Sequence, residues 1–243
     1  KKCAALRLNG YGTFEDCTFT GMNGLYQGYS DEGALTGLCT FTRCRFDASW
    51  AYAFNTAGSG PVVIDDCEII GWTSFGHKGA TTIKDTDFDW NGTYGKLRMY
   101  DATTVTGCTF TENMSIDFYN PYQGSIAGKA LTFTDNSFNG GSIVGLINMG
   151  CFSEASPVLT VDGVTYGPAT GNEIELEAGK VAVLTGASEG VEVKGNGTLI
   201  LDNVTIGGAI TKAAATGNAL TIAAGSEVVL QIRGTVSLQG AEG

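Results

Sequence analysis

Few side chains in this chain have both the type and the spacing for chemistry, and they suggest two kinds. One is acid–base work on a sugar polymer. Asp65 and Asp66 are adjacent carboxylates, and the lone histidine, His77, follows Gly76; carboxylates flanking a glycosidic bond can serve as acid, base or nucleophile. An eliminating enzyme needs instead a cationic base beside acids that neutralise a uronate or hold a metal. Arg98 and Asp117, outward at matching positions of successive repeats with Lys78 and Lys96 nearby, are weak catalytic candidates of that kind, the plainer alternative being a cross-strand ion pair on a solvated face. The other kind is recognition. Trp50, Trp72 and Trp90, together with Tyr26, Tyr29, Tyr94, Tyr100, Tyr119 and Tyr122, offer flat rings on which sugars stack and protein partners anchor, and Arg98 and Asp117 belong to the same ligand-binding set. No metal and no cofactor is expected: paired ligands such as CxxC with His are missing, and no loop carries a calcium-binding series.

The elements that must position these residues are visible as a repeat. The segment TFEDCTFTG, residues 13–21, carries Phe14, Cys17 and Phe19, and the triplet returns as Phe41, Cys44, Phe46 and as Ile64, Cys67, Ile69. It returns again as Ile83, Thr86, Phe88, as Val105, Cys108, Phe110 and as Phe133, Asn136, Phe138, with looser copies at Val161, Val164, Tyr166 and Leu201, Val204, Ile206. Such recurrence marks a stacked solenoid. Apolar residues alternate with period two on either side of each bend, so the elements are strands. Two residues separate the first strand from the second, and the latter of them is nearly always Asp, Asn or Gly, types that tolerate a left-handed backbone; Arg43 is the exception.

A third strand is expected eight residues after the Cys position, at Leu25, Tyr52, Phe75, Ile116 and Val144, and three residues later than that at Leu97. Its inward pairs are then Tyr52 and Phe54, Phe75 and His77, Leu97 and Met99, Ile116 and Phe118, Val144 and Leu146. The remaining length variation falls at the next corner, in residues 28–38, 56–61, 120–129 and 148–157, and insertions gathered on one face often mark a binding face. Each Trp comes four to six residues after its Cys position, which would set three of them at one corner. The alternative is that these rings cover the apolar ends of the stack. Thr13, Thr40, Thr82, Thr104, Thr132 and Thr160 form an outward column broken by Val63; ice binding uses such columns, but an exposed strand ordinarily carries them and one Thr per turn makes a narrow stripe.

Seven cysteines is an odd number, and stacked equivalents have parallel Cα–Cβ vectors unsuited to a disulfide, so they read as small buried hydrophobes. After Gly167 the aromatics and cysteines give way to Val, Leu, Ile and Gly; the expected organisation is one domain, 1–243, whose turns 1–166 are aromatic-rich and whose turns 167–243 continue the coil with smaller side chains. A net charge of -11 disfavours nucleic acid and anionic membranes as partners. No apolar run is long enough to span a bilayer.

Three strands per turn, a two-residue bend and an elastic corner resemble the right-handed parallel β-helix of the pectin-lyase-like group. The TFxxCTF copies resemble β-helical repeats of large surface proteins of gut Gram-positive bacteria, and TLILDNVTIGG and GNALTIAAGSEVVLQIRGTVSLQG are similar to repeats often labelled carbohydrate-binding. The resemblance implies an all-β fold and a monomeric piece of a larger secreted or wall-attached protein, without membrane insertion. It also implies a non-catalytic, adhesin-like role in binding a host protein, such as mucin or immunoglobulin, or a host glycan. The alternative it carries is a lyase or hydrolase of acidic polysaccharides. Asp65-Asp66 and Gly76-His77 are superficially similar to that group's paired Asp and GHG elements, but Asp65-Asp66 fills the two-residue bend and His77 an inward slot.

Overall fold

The computed structural model describes residues 4–8, 10–27, 37–56, 60–75, 79–118, 126, 128–139, 142–148, 157–208 and 217–241. The chain divides into two compact units, Lys1–Asp162 and Gly163–Gly243. In the first unit the strands run β1 (Ala4–Leu8), β2 (Thr13–Glu15), β3 (Thr18–Gly21), β4 (Asn23–Gln27), β5 (Cys39–Thr42), β6 (Arg45–Thr56), β7 (Val62–Asp65) and β8 (Glu68–Phe75). They continue as β9 (Thr81–Lys84), β10 (Asp87–Asp89), β11 (Lys96–Met99), β12 (Thr103–Thr106), β13 (Thr109–Phe110), β14 (Ser115–Phe118), β15 (Ala130–Thr134), β16 (Ser137–Phe138) and β17 (Val158–Val161). The pairings among the described residues of this unit are parallel and join each strand to its equivalent one turn away, which is a parallel β-helix coil with three strands per turn.

The repeat read from the sequence is the register of the coil. Phe14, Phe41, Ile64, Ile83, Val105, Phe133 and Val161 lie level along the first-strand sheet. Phe19, Phe46, Ile69, Phe88, Phe110 and Phe138 lie level along the second. Level phenylalanines meet face to face: Phe14 and Phe41 at 5.0 Å, Phe19 and Phe46 at 5.0 Å, Phe88 and Phe110 at 4.8 Å. Between sheets the rings meet edge-on, as for Phe41 and Phe54 at 5.0 Å. The threonine column is likewise in register, Thr13 to Thr40 to Val63 to Thr82 to Thr104 to Thr132 to Thr160.

Between first and second strands the chain turns through a left-handed residue in every coil: Asp16, Arg43, Asp66, Asp85 and Asp135 have φ between 46° and 54°, and Gly107 has φ 67°. Arg43 adopts the conformation despite its long side chain, and its guanidinium is held by Asp16 at 2.7 and 2.9 Å.

Cys44, Cys67 and Cys108 are buried, as expected of small hydrophobes, and the cysteines after the bend are hydrogen-bonding groups as well. Each thiol lies against the carbonyl two residues back: Cys17 to Glu15 at 3.2 Å, Cys44 to Thr42 at 3.4 Å, Cys67 to Asp65 at 3.2 Å, Cys108 to Thr106 at 3.4 Å. The same side chain accepts a backbone N–H from the coil before it. The Cys44 amide donates to Cys67 Sγ at 3.3 Å, the Cys67 amide to Thr86 Oγ1 at 3.3 Å, and the Cys108 amide to Asn136 Oδ1 at 2.9 Å. At the bend the strands are too sharply turned for a plain backbone ladder, and an unpaired buried amide is costly. Cys, Thr and Asn are compact side chains that donate and accept at once, which is why they interchange here. Among the described residues the cysteines are free thiols.

The third-strand register departs from the constant spacing of eight. Leu6, Leu25, Phe54, Thr73, Leu97 and Ile116 are level, and Phe75, Met99 and Phe118 form the next row. Counting from the Cys position, the inward row begins eight, ten, six, eleven and eight residues on, from Leu25 to Ile116. The second corner is therefore also elastic; β6 absorbs its extra residues in irregularities between Asp47 and Phe54. Tyr52 is not an inward residue, and Thr73, which is fully buried, is. Val144 and Leu146 are not on a strand either: Ile143–Gly145 is a short 3-10 turn whose Val144 amide donates to Ser142 Oγ.

In the second unit the strands are β18 (Val164–Pro168), β19 (Glu173–Leu176), β20 (Lys180–Glu189), β21 (Val191–Gly207), β22 (Leu220–Ile222), β23 (Glu227–Arg233) and β24 (Ser237–Gln239). The pairings within this unit are parallel as well, with β21 at the centre. Its core is aliphatic, built from Ile174, Leu176, Leu184, Val191, Val193, Leu199, Leu201, Val204 and Ile206. Asn203 repeats the left-handed bend at φ 47°.

Two outcomes follow from the bend ladder. Cys67→Thr keeps both hydrogen bonds and is expected to unfold within about 1 kcal/mol of the parent, whereas the isosteric Cys67→Val strands a buried amide and costs about 1–3 kcal/mol by urea denaturation. Equal stability of the two variants would remove the hydrogen-bonding account. Burial also pushes the Cys67 thiol up to about 11 and the Cys108 thiol up to about 12 from an ordinary 9.0. Because the folded state favours the protonated thiol, that contribution is fully present below 9.0 and fades as the pH rises through 11 and 12. Unfolding free energies from urea titration are expected to fall on the alkaline side at up to about 1.4 kcal/mol per pH unit per thiol, and Cys108→Thr to flatten the slope.

Candidate functional site

The aromatic residues gather because the second corner changes length from coil to coil. The coil containing Trp72 has the shortest corner, so Trp72 lies on the third strand itself, level with Tyr52 on one side and Lys96 on the other. Its neighbours in sequence space, Trp50 and Trp90, belong to coils with longer corners. Three tryptophans at one equivalent position is therefore not the arrangement. The rings instead converge from different heights.

Trp72 is the hub. The Tyr52 ring lies 4.8 Å away, tilted by 31°, and Tyr94 lies at 6.2 Å. Tyr94 also meets Trp50 edge-on at 6.4 Å. From the coil that follows, Lys96 Nζ stands 5.2 Å and the Arg98 guanidinium 4.8 Å from the Trp72 ring centroid, within range of cation–π attraction. With Tyr52 on one face and the two cations towards the other, Trp72 organises the cluster. Its indole Nε1 is buried and makes no hydrogen bond among the described residues.

Tyr94 reaches this hub because Asn91 folds the segment before β11. Asn91 Oδ1 accepts the amides of Thr93 at 3.0 Å and Tyr94 at 2.7 Å, while its Nδ2 donates to the Ala48 carbonyl at 2.6 Å, two coils back. Gly95 closes the turn; a Cβ there would lie 2.8 Å from Met114 Sδ and 3.0 Å from Trp90 Cβ. Trp90 is left 40% exposed, the largest open ring of the group. Trp50, Tyr52 and Tyr94 are half-buried.

The pair Arg98 and Asp117 is level across β11 and β14, as the sequence spacing implied. The expected solvated ion pair is instead an enclosed one. Asp117 is 3% exposed, and its Oδ2 receives Lys96 Nζ at 2.7 Å and Arg98 at 3.1 Å. Two cations face one carboxylate, so the cluster carries an excess positive charge beside the rings. Burial works against the Arg98 charge, but Asp117 and Tyr100 outweigh it and hold the guanidinium above its ordinary value. An arginine so held has no capacity to act as a base near neutrality.

Tyr100 is half-buried beside Arg98. Tyr26 lies on β4, level with Arg7 and Asn55. Tyr29, Tyr119, Tyr122, His77 and Lys78 lie outside the described residues, as do residues 28–36, 57–59, 120–125, 127 and 149–156 of the insertions. Asp65 ends β7 and Asp66 holds the bend at φ 51°, the structural role read from the repeat. Sequence reasoning missed Tyr52, taken as an inward residue, and Asn91. The signal for Asn91 was present in the longer spacing between Thr86 and Leu97. Among the described residues no group of His, Cys, Asp and Glu is placed to hold a metal ion, and no helix is long and apolar enough to cross a membrane.

A family model described as right handed beta helix region matches residues 1–156. No curated protein matches the chain significantly, and neither does any solved structure.

Removing one partner of an enclosed ion cluster leaves the others desolvated and unpaired. Asp117→Asn is expected to lower stability by about 3 kcal/mol, with a change in near-ultraviolet circular dichroism as Trp72 loses its ordered neighbours. A variant as stable as the parent, with an unchanged aromatic spectrum, would show that the cluster does not hold the rings in place.

Proposed function

Because the chain belongs to the right-handed β-helix family, a fold that hosts catalysis and recognition alike, we propose that it is a non-catalytic binding module. We place it in an exported, adhesin-like surface protein, and its ligand is a host glycan, free or carried on a host protein such as mucin. The observation that carries the reading is the convergence of Trp50, Tyr52, Trp72 and Tyr94 from successive coils at centroid separations of 4.8–6.4 Å. Trp90 stands open beside the same turn. Trp72 builds the platform, and Trp50, Trp90 and Tyr94 are the rings that meet the ligand. Rigid aromatic surface binds sugar faces with little loss of conformational entropy.

The competing reading, cleavage of an acidic polysaccharide, has less behind it. Arg98 is held protonated, and Asp117 is enclosed by two cations rather than turned to a substrate. In Asp65-Asp66 the second carboxylate sits on the bend residue itself.

On a glycan array the chain is expected to retain a defined set of sugars, and Trp90→Ala and Trp50→Ala each to weaken that retention up to about tenfold, the upper end of the roughly 0.5–1.5 kcal/mol carried by an aromatic contact beyond its area. A parallel incubation with uronate-rich polysaccharides is expected to yield no new reducing or unsaturated ends. Turnover there, or retention unaffected by both substitutions, overturns the reading.

A further inference from the structure

Beside the aromatic cluster lie two buried donors that no acceptor among the described residues meets. Thr73 and Phe75 on β8 are level with the inward Leu97 and Met99, so the alternating residues Trp72 and Ser74 share the outer face with Lys96 and Arg98. Ser74 is nevertheless only 1% exposed. Its Oγ makes no hydrogen bond among the described residues, and neither does the Trp72 indole Nε1, also buried. Buried polar groups are ordinarily hydrogen-bonded, so these two call for an acceptor from outside the chain. The cation next to them is Lys96, whose Nζ stands 5.2 Å from the Trp72 ring centroid and donates to Asp117 at 2.7 Å. An ammonium has three N–H groups, and Asp117 accepts one. The Lys96 side chain is 26% exposed against 4% for that of Asp117, so of this pair it is the lysine that a ligand reaches.

We propose that Lys96, Ser74 and the Trp72 indole form a subsite for a sulfate ester carried by the glycan, next to the rings that take its sugar face. The proposal rests on the reading of the aromatic cluster as a glycan platform and names the substituent that platform selects. The acceptor must be an anion, because Lys96 and Arg98 share the one carboxylate of Asp117 and a neutral hydroxyl would leave the excess charge uncompensated. Hydrogen bonds to an ionised acceptor are also the strong ones. Among anions the donors decide. A carboxylate offers two oxygens in one plane, and Asp117 already supplies that group to the two cations. The remaining donors belong to three separate side chains on two adjacent coils, and the three terminal oxygens of a tetrahedral sulfate can accept one from each. Tyr94 stands 6.2 Å from Trp72, so a sugar seated against Tyr94 carries its substituent over the Trp72 edge. The net charge of -11 does not oppose this, since charges beyond about 8 Å are screened at physiological ionic strength and the local sign is positive.

The test is an array of N-acetyllactosamine and mucin-type disaccharides, each present unsubstituted, sulfated and capped with sialic acid, alongside galacturonate oligomers. The 243-residue chain is expected to hold sulfated glycans at least about tenfold more tightly than their unsubstituted parents, with a preference that shrinks as salt rises. Sialylated glycans and galacturonates, whose charge is a carboxylate, are expected to gain less than about threefold. Lys96→Gln should abolish the sulfate preference, Lys96→Arg should keep it because the charge remains, and Ser74→Ala should reduce it about threefold. Near-ultraviolet circular dichroism checks that the rings stay ordered in each variant. Equal retention of sulfated and unsubstituted glycans overturns the subsite and leaves the platform standing. So does a carboxylate-bearing probe held as tightly as the sulfated one, or a preference that survives both Lys96→Gln and Ser74→Ala. Retention of no sugar at all overturns the glycan reading and the subsite with it.

Discussion

The coil depends on satisfying the amide that follows each left-handed bend. A parallel β-helix must turn its corner while every strand stays hydrogen-bonded to its neighbours, and a sharp bend interrupts the ladder at one place per turn. Here Cys44, Cys67, Thr86, Cys108 and Asn136 close that gap, several of them accepting an amide from the coil before while donating to a carbonyl of their own. With the bend held, the first and second strands leave it at a fixed angle, and the phenylalanine stacks at 4.8–5.0 Å can form on both sheets. Remove the side-chain ladder and the corner would have to take up water or open.

A corner so rigid makes the next one the place where length can vary. The third strand begins between six and eleven residues after the Cys position. This variation does not disturb the inward row, because Leu25, Phe54, Thr73, Leu97 and Ile116 stay level. What changes is the outer surface. A short corner lays Trp72 flat on the strand, while the longer ones raise Trp50 and the Asn91 turn around it. The aromatic cluster is thus a product of unequal corners on an equal core, and the buried Asp117 between Lys96 and Arg98 fixes its far side.

The first two strands and the bend were legible in the sequence because each coil repeats them with the same spacing; the level rows of Phe14 and Phe19, and the left-handed Asp residues, followed directly. Arg43 was recognised as the odd residue at that position, and its φ of 51° shows that the tertiary frame overrides its preference. The third strand was misread in three coils, one of which has a 3-10 turn at Ile143–Gly145 in its place. Tyr52 and Phe75 both stand eight residues past a cysteine and alternate correctly, so period alone gave no reason to prefer Phe54 or the polar Thr73 as the level residue. The site suffered the same way: Arg98 and Asp117 were paired correctly, but their enclosure depends on what surrounds them and leaves no trace in spacing. Lys96, two residues after Tyr94, was seen as a neighbour without its contact to the Trp72 ring.

The thiol column has a bearing on where and how such a coil can persist. Sulfurs that are hydrogen-bonded as free thiols, with Cys44, Cys67 and Cys108 buried, need no oxidant to form the fold, so the ladder does not depend on disulfide formation. It also tolerates duplication. Adding or deleting one whole coil changes the number of thiols in the ladder by at most one and strands no cysteine of it, because the described cysteines are free thiols.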